Sequence, residues 1–211
     1  MLKNKALRYS ALVLLVIGLC LVCKATYIHA KAELAWYLLR SAWEETMDTG
    51  KNVKPWSWAD TWPVARLIVP KHEIDLVVLE GDTGNVLAFG PGHMELSSLP
   101  GQPGNSIISG HRDTSFRFLE RLSVGDRITM QTIDGDMMPF KVVATQIIDE
   151  AVLDVDVKAD VPLLTLVTCY PFDALVPGGP QRYLVYAEYG PEKIADLSVK
   201  DDFKSAPHSQ P

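Results

Sequence analysis

An all-β barrel or sandwich carried on an N-terminal apolar helix is the architecture the sequence predicts. Three observations predict it. Short strand-like runs separated by turn signals recur from Val64 to Tyr189, and only one internal stretch, Ser115 to Leu122, has a helical pattern. In addition, Lys3, Lys5 and Arg8 precede an uncharged run from Tyr9 to Cys23 that stops at Lys24. Strand after strand without intervening helices argues against alternating βαβ units. The 211 residues, 47% apolar and 22% charged, suit one domain with attachments. A net charge of −6 with no basic, aromatic-interleaved patch argues against a nucleic-acid partner.

Taken in order, residues 1–24 form a short basic cytoplasmic end and a membrane anchor. The apolar run is shorter than the ~20 residues of a typical spanning helix, a length that also suits a cleaved secretory signal. Ala30-Lys31-Ala32 offers a cleavage site, but Tyr27, Ile28, Ala32, Ala35, Leu38, Leu39 and Trp43 continue outward at helical spacing, which favours a retained anchor. In either case the basic flank stays in the cytoplasm and the rest is exported. Residues 25–62 form a linker helix, ending near Gly50, and a connector in which Trp56, Trp58 and Trp62 are expected to clamp the helix to the domain rather than to line a membrane interface.

The domain proper covers residues 63–190, with strands expected at 64–69, 74–79, 85–89, 105–109, 126–133, 139–148, 163–169 and 181–189. Residues 191–211 form a polar tail expected to fray.

The run Leu163 to Tyr170, LLTLVTCY, is apolar, rich in β-branched residues and stopped by Pro171. Proline cannot donate to a sheet ladder, so the chain leaves the sheet just after Cys169 and presents the thiol at a rim. Cys20 and Cys23 lie inside the apolar segment, where they read as small membrane-compatible side chains. Cys169 is therefore an unpaired thiol in an exported domain, a position that needs a chemical reason or deep burial.

Of the five histidines, His29 falls in the linker helix, His208 in the tail, His72 beside a turn and His93 in the GPGHM loop. His111 differs, because it follows the strand run NSIISG and so occupies a strand end. The runs 163–169 and 181–189 are joined by a Pro/Gly-rich loop too short for a helical crossover, so they should pair antiparallel. That pairing puts Arg182 beside Cys169, with Arg182, Leu184 and Tyr186 on one face and Thr165, Val167 and Cys169 on the matching face of the neighbour. An arginine at a rim can also serve as the partner of an acid. A thiolate nucleophile, an imidazole acid–base and a guanidinium oxyanion donor together make an acyl-transfer set. No ligand spacing suggests a metal.

TLVTC at 165–169, SGHRD at 109–113 and Arg182 in QRYLVYAEY together resemble the signature segments of sortases. The connector PWSWADTWPVARL and the YPF after the cysteine are similar to the Gram-negative, marine proteobacterial type. The resemblance spans about Trp62 to Tyr189. It implies the eight-stranded sortase β-barrel and a catalytic set of His111, Cys169 and Arg182. No cofactor is expected, and because no acidic cluster stands out as the calcium site seen in some sortases, no metal is expected either. Thr165, Val167 and Thr168 would line the groove for the sorting signal, with Thr168 assisting the oxyanion, unless all three are plain barrel packing. The implied reaction cuts an LPxTG-like C-terminal sorting signal of an exported protein and passes the acyl group to an amine acceptor that the sequence does not identify. The implied location is the inner membrane, single-pass, with the domain on the periplasmic side.

Other classes fit less well. Papain-like peptidases carry the cysteine on a helix and before the histidine, whereas here His111 precedes a strand cysteine. L,D-transpeptidases place an arginine almost beside the cysteine. A membrane-anchored barrel that binds without turnover, and a peptidase that only hydrolyses, stay open.

Overall fold

Among its first 190 residues, the computed structural model describes residues 2–152, 155–174, 176 and 178–190; the expected polar tail lies outside the described residues. Helix α1 runs unbroken from Leu2 to Thr49. It contains one segment long and apolar enough to cross a membrane, and the described side chains from Ala11 to Leu34 are all exposed. The short apolar run predicted from composition is therefore only part of a much longer rod. The last turns of that rod leave solvent: Leu39 and Trp43 pack with Val77, Leu79 and Val86 on the outside of the domain, joined by Met47, Trp56 and Ile133. Trp56 sets its ring edge-on to Phe89 at 4.8 Å between centroids, as the clamp reading expects, while Trp58 is exposed. Burying one large apolar side chain such as Trp43 contributes about 1.5–3 kcal/mol, so this seat fixes the domain on its helix.

Eight strands follow: β1 (Pro63–Val69), β2 (Ile74–Glu80), β3 (Gly92–His93), β4 (Gly104–Ser109), β5 (Arg127–Thr132), β6 (Met137–Asp149), β7 (Pro162–Tyr170) and β8 (Gln181–Tyr189). They close into a barrel in the order β1-β2-β3-β4-β7-β8-β6-β5. Alternation explains the closure, since β1 is buried at every second residue, with Ala65, Leu67 and Val69 inside. Those side chains meet Ile108, Ile128, Met130, Phe140, Val142, Leu164, Leu166 and Val185 in one core. The pairs β2–β3 and β4–β7 are parallel and the other neighbours antiparallel. As a result β4, β6 and β7 finish at the same end of the barrel, where β8 begins.

Two expected elements differ. The run 85–89, predicted as a strand, is instead a single helical turn, α2 (Gly84–Leu87), and the strand of that region is the two-residue β3. Backbone closeness decides it. Gly81 N–H donates to His93 O at 2.9 Å, and a Cβ at Gly92 would collide with the Gly81 carbonyl, so only the Gly-containing GPGH segment fits the gap between β2 and β4. The helical stretch expected at Ser115 to Leu122 is a 3-10 turn over Arg117–Arg121.

Candidate active site

The expected antiparallel hairpin of β7 and β8 sets the geometry. Cys169 lies directly opposite Arg182, Val167 opposite Leu184 and Thr165 opposite Tyr186. Cys169 is partly exposed and free of any disulfide. The parallel neighbour β4 ends with Ser109 opposite Val167, and Gly110 N–H continues the ladder by donating to Val167 O at 3.0 Å. His111 follows at once and is exposed, so the thiol, the imidazole and the guanidinium come from three adjacent strands at one rim. Glycine is required before His111, because a Cβ there would sit 2.6 Å from the Phe116 ring that fills the core beneath.

The residues expected to line a groove divide by alternation. Val167 shares the outer face with Cys169 and packs with Ile107 and Leu184, and Met94, Ile148, Val155, Val157 and Tyr186 complete that apolar patch. Thr165 is on the same face but buried, its hydroxyl donating to Asn105 Oδ1 at 3.0 Å. Asn105 Nδ2 in turn donates to Asp156 O, which ties the segment between β6 and β7 to the sheet. Thr168 points the other way; it is buried and its hydroxyl donates to Gly110 O at 2.7 Å. The structure thus brings Val167 into line with Cys169, buries Thr165 on the same face, and engages the Thr168 hydroxyl with the backbone before His111. Burial pushes the Tyr186 phenol above its ordinary value of 10.0, and its hydroxyl donates to Gln146 Oε1.

Arg182 is firmly held. Its Nη1 donates to Gly179 O at 2.7 Å and to Gln181 O at 3.0 Å, and its Nη2 pairs with Glu150 at the end of β6. An acid partner was one of the two expectations for a rim arginine; the partner comes from across the β6–β8 pair, where Ile148 faces Arg182, and sequence distance hid it.

Two further residues escaped sequence reasoning. Arg112 is almost fully buried, with its guanidinium donating to Pro171 O at 2.6 Å, to Ala174 O at 3.2 Å and to Asp113 Oδ1 at 3.1 Å. His93, expected in a loop, is buried in β3 and fully engaged: Nδ1 lies 3.1 Å from Glu80 Oε2, and Nε2 lies 3.0 Å from Ser98 O. Ser97 Oγ approaches the same Nε2 at 3.1 Å, but it donates its hydrogen to Met94 O and accepts from Ile107 N–H. That constellation is a filled hydrogen-bond network and not a poised nucleophile. It borders a cavity of about 430 Å³ at the opposite end of the barrel, where β1 and β6 begin and β2 and β5 finish.

A family model for the sortase domain matches residues 67–189, more than half of the chain. The chain belongs to the sortase family. Sortase D of Bacillus subtilis (strain 168) is 33% identical over 123 residues, which is 58% of this chain and 61% of that relative, so the chain spans less than two thirds of the curated sortase it matches. Among solved structures, the sortase C1 of Streptococcus agalactiae aligns with a TM-score of 0.55 at 30% identity, covering 62% of this chain and 69% of that one. Sortase A of Corynebacterium diphtheriae gives a TM-score of 0.58 at 25% identity, covering 66% of each chain. A Clostridium perfringens sortase D5 transpeptidase shares the fold, with a TM-score of 0.61 at 24% identity, covering 74% of this sortase and 98% of that chain.

Proposed function

We propose that this sortase is a membrane-anchored cysteine transpeptidase acting on an LPxTG-like C-terminal sorting signal of an exported protein. The observation that carries the reading is the register of β7 and β8, with Cys169 opposite Arg182 and the His111 segment hydrogen-bonded alongside. The Cys169 thiolate attacks the scissile carbonyl carbon, and the carbonyl electrons move onto oxygen. Arg182 stabilises that oxyanion; its fork carries a permanent charge and needs only to exchange an exposed carboxylate or a loop carbonyl for the substrate oxygen. When the tetrahedral intermediate collapses, the carbon–nitrogen bond breaks, His111 protonates the departing amine, and a thioester remains on Cys169. An acceptor amine then attacks the thioester, giving its proton to His111 and releasing the thiolate. The apolar patch around Val167, Ile107 and Leu184 would receive the apolar part of the signal.

The anchor belongs to the same proposal. The exposed apolar part of α1 would span the inner membrane of a Gram-negative cell with its basic end in the cytoplasm, leaving the barrel on the periplasmic side. The test uses the full chain in detergent with an LPxTG-type peptide and a panel of amines. A new amide between the peptide's threonine and an amine, detected by mass spectrometry, is the expected product. Release to water alone with every amine, including a peptidoglycan-derived one, would leave a peptidase.

A further inference from the structure

We propose that Arg112 is a positioning residue that sets the distance and orientation between His111 and Cys169. The inference rests on the catalytic reading of that pair and goes beyond it, because the hydrogen bonds of the Arg112 guanidinium go to Asp113 and to the Pro171 and Ala174 carbonyls.

The segment Gly110–Asp113 is fastened to the chain around Cys169 on both sides of the thiol. Before it, Gly110 N–H donates to Val167 O and Gly110 O accepts from the Thr168 hydroxyl. Beyond it, the Arg112 guanidinium donates to Pro171 O and Ala174 O, the first residues of the loop that leaves β7. His111 lies between the two fastenings on one segment, and Cys169 lies between them on the other. A rigid fork that reaches two carbonyls at once fixes both a distance and an angle, which a lysine amine cannot do.

Burial sharpens the argument. The side chain of Arg112 is 3% exposed, while its only carboxylate partner among the described residues, Asp113, is 61% exposed. A cation taken out of water on those terms is costly, and the backbone carbonyls must complete its solvation. An apolar side chain would cover the same core with no such penalty. What the guanidinium adds is a directional link between two segments that converge only here, and a misplacement of about 1 Å between reacting groups can cost on the order of 100-fold in rate.

The experiment compares the full chain in detergent with Arg112→Lys, Arg112→Met and Asp113→Asn, measuring thermal melting, kcat and KM for an LPxTG-type peptide, and the pH dependence of Cys169 alkylation by iodoacetamide. His111→Ala serves as the reference for an uncoupled thiol. Expected for Arg112→Lys is a kcat lowered roughly 10- to 100-fold with KM within about twofold, and an alkylation profile displaced toward that of His111→Ala. Asp113→Asn, which keeps the fork and removes one exposed partner, should lose only a few-fold in kcat. If the Arg112 variants do not fold, Asp113→Asn decides, and an unchanged kcat and alkylation profile there overturns the proposal. It is also overturned if Arg112→Lys melts lower but alkylates like the parent at every pH. Alkylation needs no sorting signal. If the parent makes no thioester while its profile still depends on His111 and Arg112, the transpeptidase reading fails and the positioning role stands.

Discussion

The barrel carries a histidine toward each end, and the two are opposites. His93 is buried in β3, with Glu80, Ser97 and the Ser98 carbonyl around its nitrogens. His111 is exposed at the rim where β4, β7 and β8 bring it beside an unpaired thiol and a guanidinium. A fully partnered histidine holds a fold together, whereas an exposed one at the same rim as a free thiol has nitrogens open for the proton transfer proposed above. Each follows a glycine that has no room for a Cβ: Gly92 lies against the Gly81 carbonyl and Gly110 against the Phe116 ring. Local sequence around the two is therefore similar, and only the tertiary partners separate structure from chemistry.

The largest effect that would break this comparison is at the rim. Cys169→Ala should abolish thioester formation, and His111→Ala should lower kcat by roughly 10²–10⁴ with an unchanged melting temperature. Next, Arg182→Ala should lower kcat by about 10²–10³ while barely altering KM, because an oxyanion contact strengthens in the transition state. A change confined to KM would reassign Arg182 to substrate positioning. At the other end the signature should invert. His93→Ala should lower stability by about 1–3 kcal/mol, since it orphans buried polar groups, yet leave kcat of the folded protein within a factor of a few; denaturant titration and single-turnover kinetics read the two separately.

Smaller effects sharpen the picture. Glu150 is 59% exposed, so Glu150→Gln should move stability by less than about 1 kcal/mol. It should raise kcat/KM a few-fold, because Arg182 no longer has to leave a carboxylate to meet the substrate oxygen. The smallest effect concerns Asp126. Burial works to raise its pKa, but hydrogen bonds from Lys71 and the Ser123 N–H, with the His72 ring 3.5 Å away, outweigh it and leave the carboxyl below its ordinary 3.8. A depressed folded pKa means stability that is present above 3.8 and lost as pH falls through the folded value. Melting temperature should accordingly fall more steeply below that pH in the parent than in Asp126→Asn.

How much of this was legible in the sequence follows from range. The β7–β8 hairpin could be read because its loop is short and its side-chain alternation regular, and the same register delivered Arg182 to Cys169. Seven of the strand runs stood out as short runs bounded by turn signals. The run 85–89 is apolar yet folds as a helical turn, since Val86 is buried against α1 and β2 and not in a ladder. The actual strand, Gly92–His93, carries no apolar pattern at all. Glu150 and Arg112 lay beyond reach for a related reason: each meets its partner through a backbone or a strand pair distant in sequence, and a charged residue followed by a turn looks solvated until the fold closes over it. The Thr168 hydroxyl could not be assigned because period-two alternation fixes its face but not what lies there.

The most direct test of the central claim is the mass of the full chain, quenched in acid seconds after mixing with an LPxTG-type peptide under reducing conditions. The expected result is an increase equal to the acyl fragment, located on Cys169, removed by hydroxylamine and absent in Cys169→Ala. An adduct that persists in Cys169→Ala, or none with any member of a sorting-signal peptide library while Cys169 is shown to be free, would contradict it.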